Sequence, residues 1–390
     1  MKNIDIITFG NLDGKTGVNK VIENLNYGQD IFFKNNLNIK NIVGMSGGSK
    51  NKTSSKLNLK NIMKDFLEKL SKYSSIITFL LIYLRHIYRA KKVIKKYEAL
   101  HSTSEILIFH DIFSAYIFIK KNKFINKKIM VVLHTNGDTF SQIDIYYQNQ
   151  NIYTKKYLKR LEKFTLDHAD KIIFVSQKSL DNFNKNNLLY LDKTICIYNG
   201  LIDDEFIRNK EFNLPIKFIC VGTLNGRKGQ ELILEAVSQL KDQINKKIIF
   251  YIVGGGPKYE DFYNNVIKLK LEDLIKVLGA RSDISSLLSK SDIFILPSFD
   301  EGLPMAIIEA MRAGLPIIST NVGGIPEMIT NDKEGFLINP SVEDIKKIIL
   351  KIINNEIDLK KLSSNSRKTY EEKFSLESMV KKYIEVVNEK

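Results

Sequence analysis

Short apolar runs alternate along the chain with longer stretches in which apolar residues recur at helical spacing. A buried strand of a parallel sheet is short and apolar throughout, and glycine, proline or polar residues end it. The first half holds the runs Ile4–Phe9, Ile39–Val43, Ile106–Phe109, Ile129–Leu133, Ile172–Val175 and Ile195–Tyr198. The second half holds Lys217–Val221, Ile248–Val253, Ile275–Leu278, Ile293–Leu296, Pro316–Ser319 and Phe336–Ile338. Strands that alternate with helices predict α/β architecture with parallel, doubly wound sheets.

The length of 390 residues favours two such domains over one. A polar stretch from Asn199 to Pro215 is typical of a linker. We therefore predict a first domain over residues 1–200, a second over 201–370 and a final segment over 371–390. Ligands of doubly wound sheets bind at the carboxyl ends of the strands, so two domains facing each other would form a binding cleft.

The most informative stretch, residues 298–309, follows the buried run that ends at Pro297. It predicts a turn holding Glu301 and Gly302, and a helix with Pro304 at its first position, where a missing N–H costs nothing. The free backbone N–H groups of residues 302–305 would form an anion site. Glu309 lies five residues beyond Pro304, roughly 7–8 Å along the helix axis. A sugar nucleotide fits this spacing, and the alternative is an ordinary strand–loop–helix with two solvated glutamates.

Two glycine-rich turns follow strands in the second half. In the first, which runs from Gly222 to Gly229, Arg227 and Lys228 come directly before a helix predicted over Gln230–Leu240. Two cations beside a helix start favour phosphate binding, and the alternative is a basic surface turn. The second turn begins at Gly254 and is a weaker signal, because many tight loops have this composition.

Charge is divided unevenly along the chain. Residues 1–200 hold 32 Lys and Arg against 16 Asp and Glu, whereas residues 201–390 hold 27 against 28. A basic first half predicts an anionic partner or a membrane surface. The two cysteines, Cys196 and Cys220, form neither a metal-type cluster nor a disulfide framework, which favours a reducing cytoplasm.

One predicted helix, over residues 74–96, is almost wholly apolar in its first half and rich in Lys and Arg in its second. Interfacial membrane helices have this composition, and the alternative is a core helix with a basic end. The longest apolar run, Ile76–Leu84, is too short to cross a membrane, which takes about 20 residues. The start of the chain reads as a strand, because Asp5 interrupts its apolar stretch, so no signal peptide is expected.

Two histidines follow predicted strands, His110 and His134. The polar turn after His134 makes it the better candidate for substrate contact, whereas His110 is expected to be structural. The chain contains no Asp-x-Asp, the pair on which many sugar-nucleotide enzymes hold a divalent metal. Positive charge on a diphosphate would then come from Arg227, Lys228 and helix N-termini, which favours metal-independent chemistry.

Together these motifs resemble the retaining glycosyltransferases of family 4, which have the GT-B fold. The likeness is densest over about 120 residues of the second half and thinner in the first. The residues that carry it are Gly222–Gly229, Gly254–Pro257, Leu278-Gly279, Ser291–Ser298, Glu301-Gly302, Glu309–Met311, Gly314–Thr320, Val322–Gly324, Glu327, Gly335, Gly17-Val18, His110-Asp111, His134-Thr135, Asn199-Gly200 and Phe374–Tyr383. Thr223 stands where the family often has arginine, and Thr16 where its opening loop often has a first glycine.

The resemblance implies two Rossmann-like domains facing across a cleft, with a C-terminal helix that crosses back to the first domain. It implies that Glu301 faces the transferred sugar and that Glu309 binds the ribose hydroxyls. Arg227 and Lys228 would stabilise the leaving diphosphate, and His134 would lie beside the donor sugar. The remaining donor-binding positions would be Gly17, Gly222, Gly254, Gly302, Leu303, Pro304 and Met305.

The sequence therefore predicts a cytoplasmic, retaining, metal-independent glycosyltransferase that needs no cofactor and binds no nucleic acid. Its donor would be a nucleotide sugar, a UDP-hexose, and its acceptor a glycan or lipid-linked molecule of surface polysaccharide or lipopolysaccharide assembly. Peripheral contact of the basic first domain with an anionic membrane is a further expectation. The alternatives are a GT-B sugar-nucleotide epimerase, a soluble-glucan synthase or a catalytically silent subunit of a polysaccharide assembly complex.

Overall fold

The computed structural model describes residues 1–12, 16–45, 67, 69–122, 126–203 and 211–389. They form two compact units. Unit 1 comprises Met1–Ile197 and Val380–Lys390, and unit 2 comprises Tyr198–Met379. The boundaries predicted from the sequence lie at residues 200 and 370.

Unit 1 contains a six-stranded parallel sheet in the order β2-β1-β3-β4-β5-β6. The strands are β1 (Lys2–Asn11), β2 (Leu37–Met45), β3 (Ile106–Phe109), β4 (Lys128–Leu133), β5 (Lys171–Phe174) and β6 (Thr194–Cys196). The α-helices of this unit are Gly17–Tyr27, Gln29–Lys34, Ser75–Ile82, Tyr88–Glu98, Ile112–Lys121, Ser141–Tyr146, Ile152–His168 and Gln177–Asn184, with a 3₁₀ turn at Leu188–Lys193. The order reverses between β1 and β3, so this is a doubly wound sheet.

Unit 2 contains a second six-stranded parallel sheet in the order β12-β11-β10-β7-β8-β9. The strands are β7 (Ile216–Val221), β8 (Ile248–Val253), β9 (Ile275–Gly279), β10 (Ile293–Leu296), β11 (Ile317–Thr320) and β12 (Gly335–Ile338). Its helices are Gln230–Ile244, Tyr259–Lys268, Ile284–Ser289, Met305–Arg312, Ile325–Met328, Val342–Ile353 and Leu359–Thr369, followed by a π-turn at Tyr370–Phe374. Counted from β7, this is the Rossmann order, with its reversal between β7 and β10.

The twelve predicted apolar runs are all strands, and their ends move by at most two residues. They were predictable because both faces of a parallel sheet are covered, so most of the residues in its central strands are apolar. Strand β10 shows this most clearly, since all four of its side chains are fully buried.

The last helix, Leu376–Asn388, ends in unit 1 although it begins in unit 2. Lys128 Nζ at the start of β4 donates to the carbonyl of Val386 at 2.8 Å, and Lys171 Nζ forms a 2.6 Å ion pair with Glu389. These bonds tie the C-terminal end of the helix to the amino ends of β4 and β5. The crossing helix was implied by the family resemblance.

The helix predicted over residues 74–96 is two α-helices, Ser75–Ile82 and Tyr88–Glu98, joined by a π-turn at Tyr83–Ile87. At about 100° per residue, Thr78 and Ala90 would lie about 120° apart on an uninterrupted α-helix. Both are buried. A π-turn adds a residue to one turn, and this extra residue brings both side chains onto the face that packs on the core of unit 1.

Among the described residues, no helix combines the length and the apolar character that a membrane crossing requires.

Candidate functional site

The predicted site residues of unit 2 gather at the reversal of the strand order, where the loops after β7 and β10 begin. The loop after β7 carries Arg227 and Lys228, and the loop after β10 carries Glu301. Ligands of doubly wound sheets bind at this point, outside the carboxyl ends of the strands.

Glycine brings the two loops into direct contact. Gly229 has a φ of +71°, and a Cβ on it would lie 2.0 Å from the carbonyl oxygen of Pro297. The backbone N–H of Phe299 donates to the carbonyl of Arg227 at 2.9 Å. Any side chain at position 229 would separate the loops, so this glycine sets how closely Lys228 approaches Glu301.

Lys228 and Glu301 form a mostly buried ion pair. Lys228 Nζ lies 2.5 Å from Glu301 Oε1, and the two side chains are 15% and 5% exposed. Ser298 Oγ donates to the same carboxylate oxygen at 2.7 Å. With two donors on one oxygen in a buried setting, the cation and the carboxylate hold each other in place.

The backbone of Glu301 is fixed from a third loop, the one after β11. Gly323 has a φ of +53°, and a Cβ on it would lie 1.6 Å from the carbonyl oxygen of Glu301. Gly324 N donates to the carbonyl of Gly302 at 2.8 Å, and Thr320 Oγ1 donates to that of Ser298 at 2.5 Å. These contacts therefore fix the backbone of the turn that carries Glu301.

Arg227 lies beside this pair with part of its hydrogen-bonding capacity unused. Its Nη1 is 3.6 Å from Asp300 Oδ2, and its Nε is buried with no hydrogen-bond partner among the described residues. Buried guanidinium groups are normally hydrogen-bonded. The arrangement supplies a cation and a spare N–H next to Lys228.

The helix after Glu301 begins one residue later than predicted. It spans Met305–Arg312, and Pro304 is its N-cap, with an extended ψ of 115°. The Pro304 carbonyl accepts the N–H of Ile307 at 3.0 Å. Gly302 is partly exposed, whereas Leu303 and Met305 are buried. The first N–H groups of this helix have no acceptor within it.

Glu309 lies in the fifth position of this helix and is 6% exposed. A carboxylate so far from solvent is rare unless it is hydrogen-bonded. The alternative of two solvated glutamates is therefore wrong for Glu309, and it is wrong for Glu301 as well, which is 4% exposed.

The remaining predicted glycines shape the floor of the site. Gly222 directly follows β7, and its carbonyl accepts from Gln230 Nε2 at 3.2 Å. Gly254 has a φ of +151°, and a Cβ on it would lie 2.0 Å from that same carbonyl oxygen. The two turns after β7 and β8 are thus packed backbone to backbone.

In unit 1, His134 lies at the carboxyl end of β4, as predicted. Its Nε2 is 3.0 Å from His110 Nδ1, and the two rings are stacked with centroids 5.3 Å apart. Burial lowers the pKa of His134 to about 4 and that of His110 well below its ordinary value, so both are neutral at pH 7. His110 therefore positions His134, which the sequence could not show because the contact joins two strand ends.

Gly17 opens the first helix of unit 1, capped by Thr16, whose Oγ1 accepts from Asn19 N at 3.3 Å. The three residues before Thr16 lie outside the described residues.

A polar cavity of about 380 Å³ lies in unit 1 beyond His134 and was not predicted. It is lined by Asn136, Asp138, Lys159, Glu162, Asn182 and neighbouring residues. Burial raises the pKa of Glu162. Amides, two carboxylates and an ammonium group around one space can bind the hydroxyls of a sugar. The lining residues come from three separate segments, 136–139, 159–162 and 182–187, which only the fold brings together.

The described residues contain no group of three or more His, Cys, Asp and Glu side chains arranged to hold a metal ion.

A third histidine, the partly buried His86, gives unit 1 a testable pH dependence. Burial, with the nearby Arg89 and Arg85, lowers its pKa to about 4. Since the unfolded pKa is about 6.5, its contribution to stability is complete above pH 6.5 and is lost as the pH falls towards 4. Asp111 acts in the opposite direction, because burial raises its pKa to about 6.

Between pH 7.5 and pH 4.5 we expect the free energy of unfolding of His86→Phe to fall by about 2 kcal/mol less than that of wild type. Phenylalanine keeps the stacking on Phe113, whose ring centroid is 4.9 Å from that of His86. Urea unfolding of wild type and variant at pH 7.5 and pH 4.5 measures it. An equal loss of stability on acidification in both proteins would contradict the prediction.

Comparison with known proteins gives a consistent result for both units. The family described as Glycosyl transferases group 1 matches residues 202–369, and Glycosyltransferase Family 4 matches residues 66–205. An uncharacterized glycosyltransferase of Methanocaldococcus jannaschii is 30% identical over 297 residues, covering 70% of this chain and 71% of that protein. The UDP-Gal:alpha-D-GlcNAc-diphosphoundecaprenol alpha-1,3-galactosyltransferase of Escherichia coli is 32% identical over 282 residues, covering 66% and 69%.

The chain spans only 59% and 60% of the length of two other curated relatives that it matches. Among solved structures, Anabaena HepE in complex with UDP has a TM-score of 0.70 and 15% identity, with 99% of each chain covered.

Proposed function

The chain belongs to the family of glycosyl transferases group 1, and from this premise we propose that it moves a hexose-type sugar from a UDP-sugar to a glycan or lipid-linked acceptor. The predicted family is thereby confirmed. The GT-B fold is confirmed as well, by two six-stranded parallel sheets and by the likeness to HepE.

One observation carries the proposal, the buried contact of Lys228 with Glu301 at the strand reversal of unit 2. When a nucleotide sugar reacts, the bond to the sugar breaks and negative charge grows on the diphosphate. A fixed ammonium group and helix N–H groups placed there lower the barrier, because they are already oriented when the charge develops. Lys228 and Arg227 take this role, together with the N–H groups of residues 302–305.

The other donor contacts follow from placement in the same unit. Glu301, held by Lys228 and Ser298, faces the sugar. Glu309, a buried carboxylate further along the helix, accepts from the ribose hydroxyls. Gly222 and Gly254 leave the backbone open to the donor.

Unit 1 binds the acceptor under this proposal. The cavity beyond His134 offers polar groups for the hydroxyls of an acceptor sugar. The donor roles of His134, which is neutral, and of Gly17, which lies at a helix start, stay predictions of the family resemblance. The donor assignment is supported by the name of the galactosyltransferase relative, which includes UDP-Gal and a diphosphoundecaprenol acceptor. Another relative, from Escherichia coli, is named as a colanic acid biosynthesis glycosyltransferase. A role in surface polysaccharide or lipopolysaccharide assembly in the cytoplasm agrees with both names.

We further propose that the reaction retains the anomeric configuration and requires no divalent metal. Arg227 and Lys228 supply the positive charge that a metal supplies elsewhere. Equal rates with and without a chelator are expected, and a strict requirement for Mg²⁺ or Mn²⁺ would reject this part.

The decisive experiment is a panel of UDP-, GDP- and ADP-sugars, scored by thermal stabilisation and by slow hydrolysis, with NMR of the released anomer. We expect stabilisation and hydrolysis with a UDP-hexose, and a product of the donor's configuration. Stabilisation by none of the sugars would overturn the proposal. Release of an epimerised sugar without any acceptor would point to an epimerase instead.

A further inference from the structure

The helical segment from residue 75 to residue 98 of unit 1 has two different long faces. One packs on the core through side chains that include Leu81, Ala90 and Ile94. The other is exposed and carries large apolar residues, with Ile76 76% and Leu80 46% exposed; Tyr73, just before the segment, is 86% exposed. The core-helix interpretation of the sequence is confirmed for the first face, and the interfacial interpretation stays a prediction for the second.

The π-turn at Tyr83–Ile87 keeps the exposed residues in one line. Allowing for its extra residue, Ile76, Leu84, Tyr88 and Lys95 fall within about 80° of one another around the axis, at about 100° per residue. Leu84 and Tyr88 are 42% and 43% exposed, and Lys95 is exposed. Along this line, the exposed apolar side chains of the first part of the segment are therefore followed directly by exposed lysines.

The lysines lie against aromatic rings at this junction. Lys91 Nζ is 5.2 Å from the centroid of the Tyr83 ring and donates to its hydroxyl at 3.0 Å. Lys92 Nζ is 4.7 Å from the centroid of the Tyr88 ring. Each ammonium group therefore lies at the edge of apolar surface, as lysines do at a membrane interface.

The start of the helix Ile152–His168 extends the apolar surface. Asn151 Nδ2 donates to Ser75 Oγ at 3.4 Å, and the rings of Phe79 and Tyr157 meet edge to face at 6.0 Å. Next to these contacts, Ile152 and Tyr153 are 62% and 78% exposed. Two helices therefore present apolar side chains side by side.

We propose that this surface binds an anionic lipid bilayer. We call it the basic-apolar face and define it as Tyr73, Ile76, Leu80, Leu84, Tyr88, Lys91, Lys92, Lys95, Ile152 and Tyr153. Its apolar side chains would enter the boundary between headgroups and acyl chains, while its lysines meet the lipid phosphates. The excess positive charge of residues 1–200 favours an anionic bilayer over a neutral one.

The proposal goes beyond the sugar transfer, because binding to a bilayer needs neither donor nor acceptor. It also locates the proposed reaction at a membrane surface, since a lipid-linked acceptor lies in a bilayer.

Co-sedimentation of the full chain with vesicles tests it. Wild type is expected to bind vesicles of phosphatidylcholine with phosphatidylglycerol, to bind pure phosphatidylcholine far more weakly, and to be released by high salt. Two double variants test the face: Ile76→Ser with Leu80→Ser, and Lys92→Glu with Lys95→Glu. Each should weaken binding to the anionic vesicles at least about tenfold. The matched control is Leu188→Ser with Leu189→Ser, because these leucines are 70% and 86% exposed in unit 1 outside the face.

Three results would overturn the proposal: no binding of wild type to anionic vesicles, equal binding to neutral ones, or unchanged binding of both face variants. Thermal unfolding of each variant shows that the fold is intact. Hydrolysis of a UDP-sugar in solution, measured on the same variants, should stay at the wild-type rate. Because sedimentation and hydrolysis are separate readouts, failure of the reaction and failure of the membrane surface are told apart.

Discussion

Replacing Lys228 with alanine is expected to lower kcat/KM for sugar transfer about 10³-fold. Removing one preorganised group that stabilises developing charge costs about 10² to 10³ in rate, and Lys228 carries a full charge in a mostly buried position. Steady-state kinetics with the UDP-sugar found by the donor panel measures the effect. The loss should fall mainly on kcat, because the charge on the diphosphate grows in the transition state.

The same substitution leaves the buried Glu301 without its cation, which can destabilise unit 2 by about 3 kcal/mol. The double variant Lys228→Ala with Glu301→Gln removes that unpaired charge and separates folding from catalysis. Lys346→Ala is the matched control, because Lys346 is also partly buried in unit 2 and contacts Gln239 and Glu343 at 2.8 and 2.9 Å. A Lys228→Ala enzyme with the kcat of wild type would exclude the proposed role.

Replacing Glu309 with alanine is expected to weaken UDP binding about 10²-fold, or about 2.7 kcal/mol. A hydrogen bond to a charged group contributes about 1.5–3 kcal/mol, and a carboxylate can accept from both ribose hydroxyls. Glu309 is buried in the fifth position of its helix, so water would replace its carboxylate poorly. Isothermal titration with UDP measures the change.

A matched control is Glu343→Ala, which removes an exposed glutamate from another helix of unit 2. It should bind UDP as wild type does. If Glu309→Ala bound UDP with unchanged affinity and Glu309→Gln did the same, Glu309 would have no part in holding the nucleoside.

Much of the fold could be predicted because each strand is marked in the sequence by its own short apolar run. Strands β3, β8 and β10 begin and end where their apolar runs do. Such runs can be recognised without knowledge of their neighbours, since a parallel strand covered on both faces is mostly apolar. The strand order, by contrast, is a property of the whole sheet, and only the family resemblance implied it.

The sequence predicts a set of candidate site residues but not their geometry. Lys228 and Glu301 are 73 positions apart, and no local pattern says that they touch. Their contact depends on Gly229, which lets two loops meet at the strand reversal, and on Gly323, which supports the glutamate from behind. The pairing of His110 with His134 escaped prediction for the same reason.

Local sequence rules were weakest where one residue decides the geometry. Pro304 was placed inside its helix, although it precedes it by one position. Nothing in residues 83–87 marks a π-turn, because the apolar spacing there is compatible with a plain α-helix. Only the alignment of buried side chains before and after the turn shows that it is needed.

That π-turn lets the segment hold one residue more than a plain α-helix with the same alignment of side chains. Deleting one of residues 83–87 would remove the extra residue and restore α-helical hydrogen bonding, so everything that follows would keep its direction around the axis. Ala90, Val93 and Ile94 would stay in the core, and the lysines would stay in line with the exposed apolar side chains. A homologue that lacks one residue here can therefore keep this surface on a plain α-helix, so a single gap at this place in an alignment would mark loss of the π-turn and not loss of the surface.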